Sequence, residues 1–148
     1  MSDARRGRLL ALIWREFDDE LADLAELHEC MLNLQRHLLA HEAVEVQCCN
    51  QGISTVSLRL EARALRRSRI FEVLSVAPGP AAVPGLIGEA PPAQRDVLKT
   101  RWQLIGRRAR ECRDLNARNG RILATQHDLL AHVLRAADTP LVYSPPYP

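Results

Sequence analysis

Aromatic side chains are scarce in this chain: two Trp, two Tyr and two Phe among 148 residues. That leaves almost none to interleave with basic residues, as a nucleic-acid surface that stacks bases requires. Lysine is nearly absent, Lys99 being the only one, so positive charge rests on arginine. Only seven glycines occur, and those between 79 and 88 sit among prolines, which excludes a phosphate-cradling loop that opens a helix. The four cysteines, Cys30, Cys48, Cys49 and Cys112, contain no C-x-x-C pair, so neither a zinc ribbon nor a disulfide scaffold is indicated. A reduced, cytoplasmic chain is the natural reading. No apolar run approaches the roughly 18 residues of a membrane span, so no membrane insertion is expected. The basic start, Arg5, Arg6 and Arg8 before Leu9–Trp14, mimics a signal peptide only faintly, because Arg15-Glu16 ends the run without a cleavage site.

What is present is Leu, Ala, Arg and Glu, the composition of an all-helical protein with coiled-coil character. A length of 148 residues suits one domain. Leu10, Ile13, Phe17, Leu24, Leu27, Met31, Leu34 and Leu38 keep heptad spacing, with Leu21 standing in beside Glu20. Ser2-Asp3 can cap the start, so a helix is expected over about 3–46. Asn50-Gln51-Gly52 reads as a stop, and a second helix over about 54–74 places Val56, Leu60, Ala64, Ile70, Phe71 and Leu74 on one side. Residues 75–92, with five prolines and three glycines, read as a linker lying on a surface. A third helix is expected over about 93–137, ended by Pro140, and an extended tail over 138–148. The fold class is therefore all-α: an elongated antiparallel three-helix bundle, or long helical hairpin. Such a thin rod leaves leucines beside its seams, Leu9, Leu12, Leu39, Leu104, Leu129 and Leu134 among them, open to a protein partner.

Charge is unevenly placed. Residues 1–50 hold five Arg against ten acids, and residues 51–148 hold fifteen bases against eight. An acidic first helix set against basic later ones is the simplest use of this asymmetry, each exposed pair adding only tenths of a kcal/mol.

No catalytic constellation stands out, and neither an enzyme nor a cofactor is expected. His37 and His41, with Glu45 and Cys48 further along, have a spacing that zinc could use on one helix face, but solvated histidines are the plainer reading. Arginines 63, 66, 67 and 69, then 107, 108, 110 and 113, form two clusters; paired or solvated faces explain them better than nucleic acid does. Trp14 and Trp102 read as core or groove residues.

The third segment carries the inconsistency. Its apolar rhythm, Leu98, Trp102, Ile105, Ala109, Cys112, Asn116, Asn119, Leu123, Gln126, Leu130, Val133, places Asn116 and Asn119 on the seam, beside Gly120. Three readings stand open. The asparagines specify register, as a buried Asn does in coiled coils; they bond a partner's backbone, with Gly120 allowing close approach; or the helix breaks at Asn119-Gly120.

The residues themselves add a resemblance. Arg101-Trp102-Gln103-x-Ile105, then Arg113-Asp114-Leu115-Asn116-x-x-Asn119-Gly120-x-Ile122-Leu123, then Gln126 and a leucine-rich run to Tyr143, resembles the C-terminal half of the FlgN family. These are flagellar type III export chaperones for the hook-associated, hook–filament junction proteins. The likeness covers about residues 98–143, and departs from the family at Ser144-Pro145-Pro146, where members commonly carry glycine and a longer tail. It implies a small helical chaperone without ATP or catalysis. Such a protein holds a terminal helical segment of each junction protein and hands it to the flagellar export gate. Leu123, Leu129, Leu130, Val133 and Leu134 would form the client groove, Trp102, Asn116, Asn119 and Gly120 its framework, and Tyr143 the gate contact. The competing class is a coiled-coil scaffold or homo-oligomer, a homodimer for instance, that uses the same seam to bind itself.

Overall fold

The fold is seen in a computed structural model, which describes residues 1–137. Those residues form an all-α protein of four helices, α1 (Asp3–Leu39), α2 (Ala43–Leu74), α3 (Ala82–Ile87) and α4 (Pro92–Ala137). Among the described residues no helix is long and apolar enough to cross a membrane.

Helix α1 is the shared wall, with α2 packed on one side and α4 on another. Ser2 caps it, its hydroxyl accepting from the Arg5 N–H at 3.2 Å. All eight heptad residues from Leu10 to Leu38 are buried. The helix stops at Leu39, seven residues short of the expected end. His41 takes a left-handed conformation (φ 56°), and the Glu42 N–H reaches back to the His37 carbonyl at 3.0 Å. This Schellman closure needs a residue tolerant of positive φ, and histidine is one of the few besides glycine. Helix α2 ends the same way at Ser75 (φ 55°), with the Val76 N–H on the Phe71 carbonyl at 2.9 Å.

The expected stop at Gly52 is instead helix interior, α2 having begun at Ala43. A β-carbon at Gly52 would sit 3.5 Å from Cys30 Sγ, an ordinary contact, so packing against α1 overrides the local turn signal.

Helix α2 runs antiparallel to α1. Its expected apolar side is interrupted: Ala64 is exposed, and Arg63 and Arg67 take the seam. Arg63 lies buried with Asp23 at 2.9 Å, Arg59 reaches Asp23 at 3.2 Å, and Arg66 reaches Glu16 at 2.8 Å. Arg67 pairs with Glu20, and both side chains are largely covered. The charge asymmetry of the sequence is thus spent in part inside the seam, where breaking a pair costs several times an exposed one.

The 75–92 segment is not the surface linker its prolines implied. It contains α3, with Val83, Leu86 and Ile87 each under a tenth exposed and packed into the core. Only six residues long, α3 gains its order from burial rather than helix propensity. Arg6 clamps its far side through a bidentate pair to Glu89 at 2.7–2.8 Å. That guanidinium holds the Glu89 carboxyl below the usual carboxylate range.

Candidate docking surface

Helix α4 runs parallel to α1, and three hydrogen bonds fix its height. Cys112 Sγ donates to the Leu24 carbonyl (3.6 Å), Asn119 Nδ2 to Met31 (2.9 Å) and Gln126 Nε2 to Leu38 (2.7 Å). Each pair is 88 residues apart and one heptad above the last. Such carbonyls have a second lone pair for the α4 donor; that of Leu38 also accepts from the His41 N–H of the turn at 3.2 Å.

Helix α4 is continuous through Asn119-Gly120, so the break reading falls. The two asparagines part company. Asn119 is buried at 3 % exposure, with its Oδ1 unpartnered, as a register-setting residue would be. Asn116 is exposed, and the neighbouring Leu115, at 1 %, holds the seam instead. The step from Cys112 to the seam is three rather than four, a choice that spacing alone leaves open. Gly120 is exposed, and nothing lies within 4 Å of where its β-carbon would stand, so it permits no close approach inside this chain. Trp102 belongs to the opposite end: its ring stacks on Phe17 at 5.6 Å, with the Arg67 guanidinium 5.1 Å from the ring centre. Trp14 meets Phe17 edge-on at 5.6 Å.

The 88-residue offset sets the last residue of α1, Leu39, level with His127 of α4. Helix α4 therefore continues past its wall by about ten residues, roughly 15 Å. The seam's three-four rhythm continues with it. Leu130 and Val133 continue the stripe of Asn119 and Gln126, but among the described residues no helix stands opposite. The five expected client residues come together here, and all are open: Leu123 is 44 % exposed, Leu129 61 %, Leu130 57 %, Val133 59 % and Leu134 53 %. On the α1 side Leu39 is 62 % exposed. Of the other leucines expected to face solvent, Leu9 and Leu104 are half-buried.

Three hollows indent this end. One, about 400 Å³, lies between His41 and the Leu123–Leu130 face; a second, about 290 Å³, opens beside the α1–α2 turn at Val46. The third, about 500 Å³, has Leu39, Ile122 and Leu129 along it and Arg118 and Arg121 on its margin. Sequence reasoning missed Arg118 and Arg121, which belong to neither basic cluster it singled out. Burial pushes the Cys112 thiol up from its ordinary value, as it does that of Cys30. His37 and His41 do not share a helix face, since α1 ends at Leu39 between them, although both line the hollow beside the turn; His37 Nδ1 faces Glu42 at 3.4 Å. Among the described residues no cluster of three His, Cys, Asp or Glu is placed to hold a metal ion. Tyr143 lies outside the described residues.

Compared with known proteins, the chain matches no family model, no curated protein and no solved structure. The site's geometry and the motif carry the functional reading.

Proposed function

We propose that this chain is a cytoplasmic helix-holding chaperone of the flagellar export kind, an elongated three-helix bundle that works without cofactor or catalysis. Its clients are hook-associated proteins, whose terminal helical segment it shields until delivery to the export gate. The observation that supports this reading is the α4 seam running past the end of α1 with Leu130 and Val133 left open among the described residues. A client helix laid there replaces α1 as the wall, with anchors at i, i+3/i+4 and i+7. Contiguous apolar surface of this sort marks a partner site. A client that orders as it binds gives up part of the interaction energy, which suits holding followed by release.

The test is co-elution of the chain with the C-terminal segment of a hook-associated protein from the same organism. A complex is expected from the parent chain, and its loss from Leu130→Ala/Leu134→Ala at unchanged helicity. Binding that survives the double substitution would move the groove elsewhere. A folded chain that ignores the segment and scatters light as a fixed dimer would instead be a self-assembling scaffold.

A further inference from the structure

We infer that the groove between the end of α1 and α4 selects an acidic amphipathic helix, its carboxylates seated on Arg118 and Arg121. This rests on the reading that the open end takes a client helix, and adds what that helix must carry.

The argument begins with how the arginines are distributed. Arg59, Arg63, Arg66 and Arg67 of α2 all meet carboxylates of α1. Arg118 and Arg121 of α4 are exposed and pair with no carboxylate among the described residues, and no Asp or Glu lines the groove they border. The chain thus pairs these α2 arginines within itself and leaves, among the described residues, positive charge without an ion-pair partner beside its apolar opening. Arginine presents a planar fork of donors that fits a carboxylate.

The occupant follows from what shares the groove. Leu39, Ile122 and Leu129 give it an apolar wall, which phosphates alone would not use, and it offers no Phe, Tyr or Trp for a base to stack on, the His41 imidazole being its one ring. A second copy of α4 laid alongside would set arginine against arginine, since residues 107–121 hold six Arg and two acids. An acidic helix meets both parts. Arg118 and Arg121 stand about 16 and 12 Å along the helix axis from Leu129, so a helical partner must carry its carboxylates about eleven and eight residues from its apolar anchor.

The probe is a labelled synthetic helix with leucines at i, i+4 and i+7 and glutamates about eight and eleven residues away. Sister peptides carry glutamine or lysine in place of glutamate. With the full chain, fluorescence anisotropy is expected to rank glutamate over glutamine over lysine. The glutamate peptide should bind roughly tenfold tighter than the glutamine one, as two partly exposed charge pairs supply. The margin should shrink as salt screens it, and Arg118→Glu/Arg121→Glu should invert the ranking. Equal binding of all three peptides would overturn the charge selection while leaving helix capture standing. Failure of every peptide on a folded chain would overturn both. A single-stranded oligonucleotide that displaces the glutamate peptide at equal affinity would make the margin a phosphate site and overturn the acidic helix.

Discussion

The two ends of this rod solve the same problem differently. At one end, Phe17 is fully buried between Trp14 and Trp102, α3 folds over the helices, and Arg6–Glu89 fastens it down. At the other, α1 and α2 turn back at His41 and α4 carries its apolar stripe onward alone. Both ends draw on similar leucine-rich, arginine-rich sequence. What separates them is that the first has a segment assigned to cover it, and the second has no cover among the described residues. Burial is therefore where stability resides, and exposure is where a partner can act.

That contrast can be broken most severely at the closed end. Phe17→Ala removes the ring that both tryptophans contact, and should cost about 3–5 kcal/mol in denaturant unfolding. A loss near that expected of an exposed residue would mean the end is looser than its packing implies. Midway, Asp23→Ala strands the buried Arg63 guanidinium, whose remaining acid, Glu16, is 3.8 Å away. About 3 kcal/mol should be lost, and Asp23→Ala combined with Arg63→Met should recover much of it.

Toward the open end the sign reverses. Gly120→Ala places a methyl in open space on a continuous helix and should raise stability by about 1 kcal/mol. If client binding falls while the melting temperature rises, the glycine serves the partner rather than this chain. Smallest is Glu89→Gln, which unfastens α3. Because Arg6 depresses the Glu89 pKa, the pair contributes above the ordinary carboxylate range and fades as pH falls through the depressed value. Thermal melts of the variant and parent should thus differ slightly at neutral pH and converge in acid.

Much of this was legible in the residues. The α1 seam could be read because eight apolar residues at heptad spacing leave one solution for the buried face. The α4 overhang leucines could be named from the same rhythm and the motif. Three features resisted. The turn at His41 carries no glycine or proline, so nothing local contradicts a helix running on. Val83, Leu86 and Ile87 sit among prolines, and only the uncovered end of the core gives them a reason to be helical. Asn116 and Leu115 are adjacent, and one residue decides which faces α1; the answer lies in the three-step from Cys112, set by contacts 88 positions away.

The three bonds from Cys112, Asn119 and Gln126 to α1 carbonyls have a metric consequence. Spaced one heptad apart, they tolerate no slip of one, three or four residues, since each would swing all three donors out of reach together. The nearest competing alignment is a whole heptad away, about 10 Å along the axis, and leaves at least one donor unmatched. The ladder is thus a molecular gauge: it sets how far α4 protrudes, and with that the length of helix the open end can measure out for a guest.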